Sequence, residues 1–255
     1  MKKVVLLVVV LCAGYVLTHP ERGFSQDVSF FMSEGDALWE KRAEVEKARA
    51  SISSYKKVLE INAHNHEACW KIARACFYLG DALPETDEMS EHHKKMGEEG
   101  MSYAKRALKL RPEKVEGHYY YVLSIAQYSI GISIIKALAA GLGSKYEEHI
   151  ARALAIDKNY DNAGPLRAIG KYWYRLPWPK RDIKKSIQYL KEGVASAPAS
   201  VRGHVYLAES YLKAGEKELA KEHLQKALGV VPDLTQEVDA ERWKQRAKEL
   251  LGEGF

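Results

Sequence analysis

A ligand needs residues that can grip it, and in this chain the candidates are aromatic and cationic. Trp70, Arg74, Phe77 and Tyr78 lie close together in one stretch, Tyr119 and Leu123 in a second, and Arg167, Ile169 and Tyr172 in a third. Trp178 and Arg202 complete the set. Aromatic and aliphatic surface with a few charges suits an amphipathic peptide or a mostly apolar ligand with a carboxylate. Trp70, Phe77 and Tyr119 could equally pack between helices, and Arg167 could pair with a neighbouring carboxylate instead of a ligand.

Catalytic chemistry is not written here. The chain has no His-Glu-x-x-His, no Gly-x-Ser-x-Gly, no phosphate-binding loop and no Cys-x-x-Cys. His64 with His66, and the adjacent His92 and His93, read as surface histidines, because neighbours on a helix point to different faces. Cys69 and Cys76 are two helical turns apart, about 10 Å, too far for a disulfide, and read as small core residues. No enzyme activity, metal or cofactor is expected.

The elements that must position the candidates repeat. From Val201 to Asp233 the residues His204, Leu207, Ala208, Tyr211, Ala220, Leu224, Ala227 and Pro232 keep the spacing of the tetratricopeptide pattern, with His204 where Trp is common. Gly215-Glu216 supplies the turn between its two helices. Laid upstream, the template finds repeat ends at Ala63, Pro112, Lys158 and Pro198. The expected fold is an all-α solenoid of five helix hairpins, over approximately 32–65, 66–114, 115–160, 161–200 and 201–234. A capping helix over 235–251, started by Thr235, seals the end. First helices of such hairpins line a concave groove, which is where the candidates fall.

The three middle units exceed the usual period of about 34 residues, and each carries its surplus between its two helices. The surplus covers Ala82 to Met96, Gly131 to Lys145, and Leu176 to Asp182. Insertions at equivalent places emerge on one edge of a solenoid, often a binding edge. The first is acidic and reads as solvated. The second is apolar and should pack against something. In the third, Leu176-Pro177-Trp178-Pro179 is a stiff turn ending a helix that starts at Gly164-Pro165, and Trp178 is expected to fold back and close one end of the site.

Composition bounds the rest. The 255 residues are 46% hydrophobic and 29% charged, with a formal net charge of +5. Lys and Arg are interleaved with Asp and Glu, so nucleic acid is not an expected partner. Met1-Lys2-Lys3 followed by apolar Val4 to Leu17 reads as a signal peptide over 1–25, or an N-terminal anchor, preceding one helical-repeat domain over 26–255. Leu11 stands where lipid attachment at Cys12 wants a small residue, which argues against lipidation. These features predict an exported protein.

Several stretches also resemble a known family. The acidic insertion after Tyr78-Leu79-Gly80-Asp81, then Ala104-Lys105-Arg106-Ala107-Leu108, Tyr160 to Gly170, and Leu176-Pro177-Trp178-Pro179 look like the TatT family. These are helical-repeat proteins associated with tripartite ATP-independent periplasmic (TRAP) transporters. The resemblance implies residence in the periplasm of a Gram-negative bacterium and a partner there, the solute-binding subunit, together with a hydrophobic ligand passage and a trimer. The functional expectation is an exported, non-catalytic scaffold docking such a partner. The alternatives are direct binding of a small apolar or anionic ligand in the groove, and a general envelope-assembly scaffold.

Overall fold

Small residues decide how closely the helices of this protein approach one another, and the computed structural model describes them for residues 20–235 and 237–254. The N-terminal segment read as a signal, Cys12 included, lies outside the described residues up to position 19. Helices α1 (Pro20–Glu40) and α2 (Val45–Ile61) form the first hairpin, and α3 (His66–Asp81) and α4 (Ser90–Leu110) the second. The third pairs α5 (Val115–Ile132) with α7 (Leu142–Asp157), with the short α6 (Ile134–Ala139) between them. Next come α8 (Tyr160–Arg175) with α9 (Ile183–Ser196), then α10 (Val201–Ala214) with α11 (Lys217–Gly229). The last helix is α12 (Ala240–Gly254). Every described element is helical, so the all-α hairpin solenoid is what the chain forms.

Local chemistry sets the boundaries. Side chains of Asn65, Asp182 and Ser200 accept hydrogen bonds from the backbone N–H groups of Ala68, Lys185 and Gly203, satisfying donors that the first helical turn leaves free. Gly215, at φ 85°, ends α10 in the left-handed conformation. Inside, Ala68, Ala73, Ala75, Cys76, Ala104, Ala107, Ala208, Ala220 and Ala227 are fully buried where helices cross. Helices α4 and α5 approach backbone to backbone at Gly97, where a Cβ would stand 2.4 Å from the Tyr128 nitrogen, and at Gly131, where one would stand 2.4 Å from the Lys94 nitrogen.

Histidine does a structural job in two repeats. His204 Nε2 lies 3.1 Å from the Pro198 carbonyl, and its Nδ1 lies 2.9 Å from Nδ1 of His223. His118 repeats the arrangement with the Pro112 carbonyl at 2.9 Å and His149 at 2.8 Å. A carbonyl only accepts, so His118 and His204 donate through Nε2, and a single proton is shared between the two Nδ1 atoms of each pair. Each pair fastens a helix to the preceding repeat end.

Four expectations are corrected. His93 is buried: its Nε2 meets the Pro84 carbonyl at 2.9 Å and its Nδ1 meets the Gln127 amide, so the acidic insertion is tied down at this point. Thr235 does not cap the last helix. Its N–H and hydroxyl both donate to the Asp233 carboxylate, at 2.9 and 2.7 Å, and that local turn delays the helix to Ala240. Trp178 does not fold back. Lys180 and Arg181 donate their N–H groups to the Pro177 carbonyl and Arg181 Nε donates to Leu176, so the turn curls inward without the indole, which is 86% exposed. Finally, the concave face is not an open groove. Arg202 of α10 and Arg242 of α12 reach Asp81 at the end of α3, at 3.0 and 2.6 Å, and Arg42 donates to the Thr235 carbonyl.

Two outcomes follow for stability. Gly97→Val drives a branched side chain into the α5 backbone and should destabilise by about 1–3 kcal/mol, read from urea denaturation. Burial, reinforced by His204 and Lys226, pushes His223 down to about 4, and burial likewise lowers His149. A depressed folded-state value means that the stability is complete above the unfolded value of about 6.5 and is lost as pH falls toward 4. The melting temperature should decline across that window, and less steeply in His223→Gln.

Candidate functional site

Closing the solenoid leaves a cavity inside the curve, about 450 Å³, within the range of roughly 300–1,000 Å³ usual for small-molecule sites. Its apolar wall comes from Phe77 of α3, Leu123, Ala126 and Ile130 of α5, Ile134, Ala137 and Leu138 of α6, and Leu142 of α7. The apolar insertion thus finds its packing partner in the pocket, with α6 as one wall. Facing it, α8 presents Arg167, Lys171 and Arg175 at intervals of one helical turn, joined by Arg202 and Tyr206 of α10. The loop after α3 contributes Glu85, Thr86 and Asp87.

The start of α8 is unusual. Asp161, Asn162 and Ala163 take φ of 50°, 57° and 59°, a left-handed turn that costs about 1–2 kcal/mol per residue for side chains with a Cβ. Two pocket residues hold it. Arg167 donates to the carbonyls of Asn162 and of Asp161, the latter at 3.0 Å, and Tyr119 Oη donates to the Asp161 carboxylate at 2.8 Å. Arg167 is therefore a backbone clamp. Burial pushes the Tyr119 phenol well up, so it stays a neutral donor.

Each remaining cation is also matched. Lys171 meets Glu209 at 2.5 Å and lies over the Tyr206 ring at 4.3 Å; burial lowers its ammonium although Glu209 opposes the shift. Arg202 bridges Asp81 and Asp239. Burial disfavours its charge, but the two carboxylates outweigh that and hold its proton well above the usual range. Arg175 bonds Glu85, with one contact at 2.9 Å. The site is an apolar cavity with an internally neutralised polar wall.

Of the residues singled out from sequence, Phe77, Tyr119, Leu123, Arg167, Tyr172 and Arg202 line this cavity. The others sit elsewhere. Trp70 stacks on Tyr120 with centroids 5.9 Å apart, and Arg74 lies between Trp39 and Trp70, at 4.0 and 5.0 Å from their rings. Tyr78 Oη donates to the Arg42 carbonyl at 2.9 Å, and Ile169 is buried in the core. Sequence reasoning missed Lys171, Arg175, Tyr206 and Glu85. The four-residue rhythm of Arg167, Lys171 and Arg175 was a readable signal; nothing local marks Glu85. Among the described residues no cluster of three or more His, Cys, Asp or Glu could hold a metal ion.

With this geometry in place, comparison with known proteins is informative. The model of the family Regulator of microtubule dynamics protein 1-3 matches residues 31–185, more than half of the chain. The chain belongs to this family. Regulator of microtubule dynamics protein 1 of Mus musculus is 26% identical over 221 residues, which is 79% of this chain and 68% of the mouse protein. The Bos taurus protein of the same name is 24% identical over 220 residues, 79% of this chain and 65% of its own length. The chain thus spans about two thirds of these family members' length.

A tetratricopeptide-repeat model matches residues 202–233. Among solved structures, a thermophilic TPR protein of Thermus thermophilus superposes with a TM-score of 0.64 at 16% identity, over 88% of this chain and 98% of that one. MamA 41-end from Desulfovibrio magneticus RS-1 gives 0.50 at 13% identity, over 80% of this chain and 94% of that one. These likenesses establish the TPR fold, a scaffold type suited to binding protein partners. Membership of a family with mammalian relatives corrects the expectation of a Gram-negative periplasm. A basic start and an apolar run describe a physical pattern, and that pattern does not say which kind of cell reads it. The resemblance to the TatT family remains one of short motifs.

The ion pairs around the cavity should differ sharply in weight. Arg202→Met strips a buried partner from Asp81 and Asp239 and should cost about 3 kcal/mol, the low end for such a break because Arg242 remains on both carboxylates. Glu85→Gln should cost under about 1 kcal/mol. Urea denaturation of both variants checks the ranking.

Proposed function

We propose that the chain is a non-catalytic binding protein whose enclosed pocket receives a ligand with an apolar body and an anionic end. The closure of the solenoid carries this reading. With α12 tied to α3 through Asp81, an extended peptide running along the concave face would meet the Arg202, Asp239 and Arg242 cluster, whereas a compact ligand needs only the cavity beneath it. The apolar wall supplies affinity through buried area, and the cationic stripe on α8 gives the two ends of the ligand different surroundings.

Family membership and one exposed side chain favour a second reading, a protein partner on the outer surface. The mammalian relatives are named for microtubule dynamics. Trp178, exposed beside Lys180 and Arg181, offers an aromatic anchor with basic neighbours. A TRAP-type solute-binding partner and an envelope-assembly role both presupposed the periplasm and are not part of the proposal.

Native mass spectrometry and displacement of the apolar fluorophore N-phenyl-naphthylamine should detect ligand in the wild type and none in Ala126→Trp, which fills the cavity. A wild type that takes up neither fluorophore nor decanoate defeats the pocket reading. For the second reading, Trp178→Ala should reduce co-sedimentation with assembled microtubules, and a wild type that stays in the supernatant sinks it.

A further inference from the structure

The four cations that line the pocket are not equally available to a ligand. The Arg167 side chain, 11% exposed, is committed to two backbone carbonyls of the left-handed turn. Lys171 is 21% exposed and its partner Glu209 12%, and both sit on helices packed together, α8 and α10. Arg202, 16% exposed, holds α3 and α12 at once. Displacing any of these partners strands a buried charge. Arg175 stands apart: it is 39% exposed and its partner Glu85 48%.

Glu85 also rides on a different kind of support. It belongs to the segment between α3 and a short 3₁₀ turn at Asp87–Met89, and that segment spans from one wall of the cavity to the end of α8. The neighbouring Pro84 carbonyl is pinned by His93, so Glu85 sits one residue beyond a fixed point. Its side chain can swing away without dismantling the loop. A solvent-exposed ion pair is worth little, so another carboxylate can compete for the guanidinium. Arg offers a planar fork that fits a carboxylate through two N–H groups, and Glu85 shows this geometry by engaging both Nη atoms.

We propose that Arg175 is the specificity-determining residue of the pocket and Glu85 its built-in competitor: a carboxylate-headed ligand enters tail first and displaces Glu85 from Arg175 at the mouth. This rests on the pocket reading above. It moves the anion-recognising role away from Arg167, which the chain already uses to brace its backbone. It also specifies orientation, with the apolar tail toward Phe77, Leu123 and Leu138 and the head toward solvent. Glu85 then acts as a filter, because a neutral head cannot replace it on Arg175 and gains nothing from trying.

Two matched probes, decanoate and decanol, test this by displacement of N-phenyl-naphthylamine from the full chain. Glu85→Gln should tighten decanoate about fivefold while leaving decanol within about twofold. Arg175→Gln should weaken decanoate by about fivefold with decanol again nearly unchanged, and Arg175→Lys should recover part of that loss. Thermal melts confirm that each variant is folded. If both variants shift the two probes equally, or neither probe moves, the selectivity assignment is overturned while the pocket stands. If the wild type binds neither probe, the pocket reading itself has failed.

Discussion

The cluster of Asp81, Arg202, Asp239 and Arg242 ties the second hairpin to the fifth and to the last helix. A stack of hairpins makes mostly neighbour contacts, and its curvature is then free to vary. Here two arginines and two aspartates, of which Arg202, Asp81 and Asp239 are largely out of water while Arg242 stays partly exposed, join positions 121 and 161 residues apart in the chain. Burial alone would raise the Asp239 carboxyl, but Arg202 and Arg242 outweigh it and hold it well below the usual range. Removing either charge type would leave the other stranded. The cavity inside the curve and the loss of an open groove both rest on this closure.

Within that ring, functional groups have two allegiances. Arg167, Tyr119 and Arg202 face the cavity, yet each carries a structural contact: the left-handed turn for the first two, the closure for the third. Tyr172 faces it too, stacked on Tyr146 with centroids 4.4 Å apart and donating to Glu147 at 2.6 Å. A pocket made of residues already in use is rigid, and rigidity lowers the ordering cost of binding. The exposed Glu85 and Arg175 pair is the part of the wall with slack.

The two histidine pairs show how a repeat can substitute one local solution for another. At His204 the pattern usually has Trp, whose bulk fills the space between helices. The imidazole fills less but ties the Pro198 carbonyl to His223, satisfying a backbone acceptor at the same time. His118 does the same two repeats earlier, so the device is a property of the repeat geometry and not of one position.

Residues a few positions apart were enough to determine the hairpins. Helical spacing, Ala at the crossings, Gly215 in its turn and the caps at Asn65, Asp182 and Ser200 are local facts, and the all-α repeat fold followed from them. So did the placement of Phe77, Tyr119, Leu123, Arg167, Tyr172 and Arg202 on inner faces, since first helices of stacked hairpins look inward. The start of the last helix was less legible, because the choice of Thr235 between capping a helix and bonding Asp233 is settled by geometry a few ångströms away. Trp178 was misplaced for a similar reason: aromatic and bracketed by prolines, it reads as an anchor, while the hydrogen bonds to Pro177 turn it outward. Only the tertiary structure decided that the solenoid closes, because Asp81 carries no mark of Arg202 and Arg242 far along the chain. The same holds for Glu85 on Arg175, 90 residues away. Short-range periodicity encodes which face of a helix is buried; the superhelical curve that brings distant charges together is a sum of small rotations over every hairpin, and no single residue records it.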